Sequence, residues 1–352
     1  MARLSPVSMC SSQARHKERG DSGLPGYALP VSPRVSVCMP AYRAAWSIGK
    51  ALESVLAQSL ESFELVVVDD CSPDETSEVI AGYGDPRIRA YRNPINLGQA
   101  GTTNRCIELA RAPLVKFLHA DDALEPDCLS AMTAVFDEAP SVGLVFARRH
   151  IDLEDPEAPD LIGWERDYGE LHQPFGPLGR INDGRELFDR YLAAGVPGNW
   201  VGEPSSVMMR RACFARIGLF SERLRQILDT DMWLRAMFFY DVGFVDARLS
   251  RYFVGRNSVT GANVRGGGAW LDFLWLLEGL MSLPEIRRAY PELAVRKRLE
   301  QRRAGRALIG AVRRSPASAV PRLRSLAPYA GRQLRAGSAP FRTLPEVLDS
   351  ET

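Results

Sequence analysis

Lysine is nearly missing from this chain: only four of its 44 basic residues are lysines, at positions 17, 50, 116 and 297. That bias marks a GC-rich, bacterial genome and carries no chemistry. The six cysteines (10, 38, 71, 106, 128 and 213) form no C-x-x-C pair. Cys38 lies in an apolar run and Cys106 in a helical pattern, so they read as small hydrophobes of a reduced, cytoplasmic protein. The four histidines (16, 119, 150 and 172) are scattered, which excludes a zinc cluster. Long apolar runs are absent as well. The longest, residues 270–283, contains Asp272 and Glu278 and falls short of the ~20 residues that span a bilayer. Residues 1–30 lack the continuous apolar core of a signal peptide.

What is present is globular in composition: 352 residues, 45% hydrophobic and 25% charged. That length fits one large α/β domain with extensions. The net charge of +1 argues against a uniformly basic nucleic-acid binder, and no nucleic-acid partner is expected. The balance is uneven along the chain. Residues 294–342 carry 13 basic side chains and one acid, Glu300, a local net of +12. The remainder therefore carries −11, the difference between +1 and +12.

Residues 1–33 show no periodicity and are expected to form a flexible N-terminal arm. An alternating βα pattern follows. Strands are expected at 35–39, 64–68, 87–91, 114–118 and 142–147, with helices at 47–58, from 72, at 99–110 and from 126. The apolar run 64–68 is typical of a parallel strand buried on both faces. This pattern predicts a mostly parallel, doubly wound sheet whose ligands bind beyond the carboxyl ends of its strands. Residues 151–200, rich in Pro, Gly and Asp, read as a long loop region with short helices. Strands at 205–210, 242–245 and 249–254 and helices at 212–217 and 229–240 follow. From 266 to 352 the chain reads as a helical, basic extension.

Two Asp-Asp pairs, Asp69-Asp70 and Asp121-Asp122, sit at the ends of expected strands. Ser72 is available to cap the helix that follows the first pair, which leaves that pair free to face a ligand. Carboxylates without a His/Cys cluster suit Mg²⁺ or Mn²⁺ held together with substrate phosphates. His119 reads as a packed strand-end residue.

The order Val-Ser-Val-Cys-Met-Pro-Ala-Tyr (35–42), Glu-Leu-Val-Val-Val-Asp-Asp-Cys-Ser-Pro-Asp-Glu-Thr (64–76), Asn-Leu-Gly (96–98), His-Ala-Asp-Asp (119–122) and Leu-Asp-Thr-Asp-Met-Trp-Leu-Arg (228–235) resembles the family 2 glycosyltransferases. The resemblance covers residues 33–260 and implies a glycosyltransferase-A fold, with a catalytic domain over 34–265. Within it, 34–150 would be the nucleotide-sugar half and 151–265 the acceptor half. It further implies that Pro40, Ala41, Tyr42, Asp70, Asn96 and Asp121 bind the nucleotide sugar. Asp122 would hold the metal, and Asp229, six residues before Arg235, would be the catalytic base. Asp231 reads as a solvent-facing acid of the first turn. Three positions depart from the family pattern: Arg43 replaces Asn, Leu228 replaces Glu, and the Leu-Ser-Arg-Tyr-Phe-Val-Gly-Arg segment (249–256) has Phe253 for Arg and Gly255 for His. Leaving-group stabilisation would then fall to Arg251 or Arg256. No Gln-x-x-Arg-Trp motif is present, which favours single or few additions over processive synthesis.

The expected chemistry is inverting, metal-dependent transfer of a sugar from a nucleotide-diphosphate donor to a hydroxyl of a glycan or lipid-linked acceptor, in cell-envelope or surface glycan assembly. One carboxylate base suffices for a single displacement, where hydrolases need two. A cytoplasmic location is expected, with peripheral contact at the inner membrane face through the basic tail. A non-catalytic nucleotide- or carbohydrate-binding relative is the alternative, prompted by Leu228 and Gly255. A nucleotidyltransferase is disfavoured, because residues 40–45 contain no glycine to cradle a triphosphate.

Overall fold

The computed structural model describes residues 32–195, 198–224, 226–255, 269–314 and 341–344. The expected N-terminal arm, Arg256 and most of the tail beyond 314 lie outside these residues. Four strands open the sheet: β1 (Val35–Ala41), β2 (Phe63–Asp69), β3 (Ile88–Arg92) and β4 (Leu114–Phe117). They run parallel in the order β3-β2-β1-β4. Every residue of β2 is buried, as its unbroken apolar run demands. The crossovers are α1 (Ile48–Leu56), α2 (Thr76–Ala81) and α3 (Gly98–Leu109). The direction of strand addition reverses between β1 and β4, and this switch point opens a crevice at the carboxyl ends.

The second half is mixed in direction. After β5 (Ala123–Leu124) and α4 (Cys128–Glu138) come β6 (Val142–Leu153), α5 (Pro159–Tyr168), β7 (Ile181–Asn182), α6 (Gly184–Ala193), β8 (Val207–Arg210) and α7 (Cys213–Ile217). Next are α8 (Leu228–Phe239) and β9 (Asp241–Val254). β8 lies antiparallel between β4 and β6, and β6 pairs parallel with β9. The two strands expected over 242–254 are thus one long strand, with register shifts at Ala147 and Arg148 of its partner absorbing the irregularity. Residues 151–200 are more ordered than their composition suggests, containing the end of β6 and two ten-residue helices.

Apolar side chains fill both faces of the sheet. Val35, Val37 and Met39 join one buried cluster, whereas their neighbour Cys38, with Val66 and Val68, joins the other. Three helices, α9 (Ala269–Ser282), α10 (Pro284–Ala289) and α11 (Glu292–Arg314), form the expected helical extension. Leu274, Leu276, Leu277 and Leu280 of α9 share one buried cluster with Phe117, Phe146 and Trp233, so this region is packed rather than appended. Among the described residues no helix is long and apolar enough to cross a membrane.

Candidate active site

The crevice at the switch point is a cleft of about 590 Å³, within the usual range for small-molecule sites. Pro40, Ala41, Tyr42, Asp70, Asn96, Asp121 and Asp229 all line it, so residues up to 189 positions apart converge as the motif order implies. Asp122 does not line it.

One wall is the turn after β1. Its amides are pinned from the β2–α2 connection: Arg43 N donates to Ser72 Oγ (3.0 Å) and Ala44 N to Thr76 Oγ1 (2.9 Å). Ser72 is thus used to hold this turn and does not cap α2, contrary to expectation. The turn forces Arg43 to φ 52°, a left-handed conformation that asparagine tolerates and most side chains resist. This accounts for the asparagine that the resemblance places there. Arg43→Asn is expected to raise stability by about 1 kcal/mol, read as the midpoint of chemical denaturation.

Asp70 lies at the base of the cleft, 2% exposed. Its carboxylate accepts the amides of Leu97 (2.8 Å) and Gly98 (2.9 Å) and the Asn93 side chain (2.7 Å). It thereby fixes the N-terminus of α3 against the cleft, and Asn96 Nδ2 closes the loop by donating to Asp70 O (3.2 Å). Gly98 has φ 76°, which explains the glycine of the Asn-Leu-Gly motif.

The His119–Asp122 loop leaves β4 over a buried polar support. Lys116, fully buried within the strand, donates to the carbonyls of Phe117, Ser205 and Val207, and burial pulls its pKa down to about 8. Ser205 Oγ accepts from His119 N (3.0 Å) and donates to Asp122 Oδ2. Asp122 Oδ1 accepts the Phe253 amide (2.9 Å). Both oxygens of Asp122 are therefore engaged beneath the cleft floor, and burial raises its pKa well above the usual carboxylate range. Asp121 is the exposed carboxylate of the pair. Single ligand atoms of His119, Asp121 and Asp122 lie within 4.8 Å of one another. Burial lowers the His119 pKa, which keeps its imidazole neutral and able to bind a metal.

Asp229 occupies the first turn of α8 and faces the cleft, half-buried. It does not cap the helix. The N-cap position is Ile227, and the amides of Gln226 (2.6 Å) and Ile227 (3.4 Å), on the chain entering the helix, are met by Asp272 Oδ2 from α9. Asp229 Oδ2 accepts from Asn199 Nδ2 (2.7 Å) and Oδ1 from its neighbour's amide, Thr230 N (2.7 Å). Desolvation pushes its pKa up to about 7 against these hydrogen bonds, with the Glu203 charge adding to the rise.

Glu203, which nothing in the sequence singles out, also lines the cleft. Arg149, 5% exposed, holds it from below: Nε lies 2.6 Å from Glu203 Oε2, while the guanidinium donates to the carbonyls of Tyr168 and Gly169. Trp46, 66% exposed, meets Phe253 at the rim with ring centroids 5.1 Å apart. Arg251 does not line the cleft. It is paired with Glu125 (2.8 Å) and Asp152 (3.1 Å), which corrects its expected role at the leaving group.

The expectation for Asp231 is also corrected. It is fully buried and ion-paired to Arg235 (2.6 Å) on the face of α8 opposite Asp229.

Comparison with known proteins agrees with this geometry. The glycosyl transferase family 2 profile matches residues 36–191. An uncharacterized protein of Mycobacterium tuberculosis is 37% identical over 231 residues, covering 66% of this chain and 70% of its own length. The succinoglycan biosynthesis protein ExoO of Rhizobium meliloti is 36% identical over 126 residues, covering 36% of this chain and 35% of its own length. Among solved structures, S. aureus TarS in complex with UDP-GlcNAc superposes with a TM-score of 0.55 at 17% identity, covering 71% of this chain and 67% of TarS. The mannosyltransferase PcManGT of Pyrobaculum calidifontis, in complex with GDP-Man and Mn²⁺, superposes at 0.51 with 18% identity, covering 86% and 81%. Fold, motif positions and sequence similarity agree: the chain belongs to glycosyl transferase family 2.

Proposed function

We propose that the chain transfers a sugar, with inversion, from a nucleotide-diphosphate sugar to an acceptor hydroxyl, with Asp229 as the base. The observation that carries this reading is the Asp229 carboxyl, placed in the cleft and tuned to about 7, where a base is both deprotonated and proton-hungry at neutral pH. Asn199 and the Thr230 amide each hold one of its oxygens, and a remaining lone pair on the cleft side would take the acceptor proton. A single base across from the leaving group fits one in-line displacement.

Asp121, Glu203 and Asp229 make the cleft acidic, and Asp122 lies just beneath it. A diphosphate would be repelled from such a cleft unless a cation joined it. His119 and Asp121 would hold that cation from the cleft side, with Asp122 behind them; the mixed oxygen and imidazole donors suit Mn²⁺ at least as well as Mg²⁺. When bound, the metal would neutralise charge that grows on the departing diphosphate. The turn at Pro40, Ala41 and Tyr42, with Asp70 and Asn96, shapes the nucleotide end. An acceptor on a surface or envelope glycan is supported by the similarity to ExoO.

Screening labelled UDP- and GDP-sugars for hydrolysis or transfer with Mn²⁺, Mg²⁺ or chelator tests the reading. Turnover of one donor that stops in chelator is expected. Binding without turnover of any donor would favour the non-catalytic alternative, and full turnover in excess chelator would remove the metal. Asp121→Asn should abolish metal-dependent turnover with little effect on melting. Asp122→Ala should instead cost about 1–3 kcal/mol of stability, because the Phe253 amide and Ser205 hydroxyl lose their buried partner.

A further inference from the structure

The first four turns of α11 carry a surface that the cleft does not use. Val295 and Leu299 are 55% and 49% exposed, and Arg298, Arg302 and Arg306 are exposed beside them. At ~100° per residue these five side chains share an arc of about 100°. No ion pair to those three arginines is seen among the described residues. The helix has two acids, Glu292 in its first turn and Glu300, which pairs with Arg303 at the edge of the arc. The opposite face is packed: Leu293 is buried, Arg296 lies over Phe273 (5.3 Å) and Lys297 pairs with Glu278.

The direction of α11 gives this face a meaning. The helix starts against α6, where Tyr290 meets Phe188 (5.1 Å) and Asp189. Two turns later Arg296 donates to Gly195 O (2.6 Å), just past the end of α6. Four residues further along the chain, Asn199 holds Asp229. α11 also packs on α9 through Arg296 over Phe273 and Lys297 with Glu278, and the first turn of α9, through Asp272, meets Gln226 on the cleft wall. The successive contacts of Tyr290 and Arg296 along α6 carry α11 toward the end of α6 that leads to Asn199 and the cleft. The stretch from Arg296 to Arg306 carries it about 15 Å further that way.

We propose that this face of α11 docks the enzyme on an anionic lipid bilayer. The arginines meet headgroup phosphates, and Val295 and Leu299 enter the interface. Exposed aliphatic side chains among the cations favour lipid over nucleic acid, which offers no apolar phase to receive them. The docking brings the cleft side of the molecule to the bilayer, where a lipid-linked acceptor would present its hydroxyl. That purpose rests on the transfer reading; vesicle binding does not, since it needs neither donor nor acceptor.

Co-sedimentation of the full chain with phosphatidylglycerol-containing and pure phosphatidylcholine vesicles tests the proposal. Wild type should bind only the anionic vesicles and release them at about 1 M salt, where the Debye length falls to about 3 Å. The triple substitution Arg298→Ser, Arg302→Ser, Arg306→Ser should weaken binding roughly a hundredfold, with melting and nucleotide binding unchanged. Leu299→Ser alone should weaken it roughly tenfold, which covers the case in which the triple variant folds poorly. Unchanged vesicle binding by these variants would overturn the proposal. So would equal wild-type binding to neutral vesicles, or tighter binding to an RNA oligonucleotide than to anionic vesicles.

Discussion

Asp229→Asn is expected to lower transfer by roughly 10² or more while leaving the affinity for the nucleotide sugar nearly unchanged. The substitution keeps the size of the side chain and its bond from Asn199 but removes the proton acceptor. Stability should hold, because the asparagine side-chain oxygen can still accept a hydrogen bond and Asp272 independently holds the chain that enters α8. The raised pKa adds a second signature. A base that must be ionised is silent while protonated, so kcat/KM should rise with pH through about 7 and level off above it. That acid limb should disappear from the residual activity of the asparagine variant. Rates over pH 5.5–9 and equilibrium binding of the donor, for both proteins, check the prediction. An undiminished Asp229→Asn enzyme would reassign the base, and Glu203 would be the next carboxylate to test.

Strand ends were legible in the sequence because the information is local. An apolar run that stops at Asp69-Asp70 or His119-Ala120-Asp121-Asp122 places those acids at a carboxyl edge whatever surrounds them. The carboxyl-edge position of the cleft followed from the βα alternation. Burial within a pair of adjacent acids was not legible. That Asp122 points down and Asp121 out depends on Ser205 and on the Phe253 amide, 83 and 131 residues away. Glu203 was missed for the same reason, since its partner Arg149 comes from β6 and only the β6–β8 pairing brings them together. The packing of the extension was hidden too. Its basic composition suggests a solvated tail, yet Arg342 O accepts the Leu219 amide (2.7 Å) and Phe341 stacks on Arg235 at 4.2 Å.

Asp231 shows how much such remote contacts can change an expected result. Two residues from Asp229 and about 200° around the helix, it was expected to face solvent, and its replacement to cost little. In the structure its carboxylate grips Arg235 twice, at 2.6 and 3.1 Å, with both side chains buried. Arg235 in turn donates to the carbonyls of Ile217, Gly218 and Leu219, tying α8 to the end of α7. Gly279 of α9 leaves room for the pair, since a Cβ there would stand 2.9 Å from Asp231 Oδ1. Removing one member strands a buried charge, which costs about 3–5 kcal/mol. Asp231→Asn and Arg235→Met should each lower the melting temperature by roughly 5–15 °C. The double variant should recover part of that loss, because no unpaired charge remains. Activity of Asp231→Asn, assayed well below its melting point, should stay near wild type, in contrast to Asp229→Asn. An Asp231→Asn protein with unaltered melting would refute the buried pair. One that melts normally, binds donor and fails to transfer would move the base from Asp229 to Asp231.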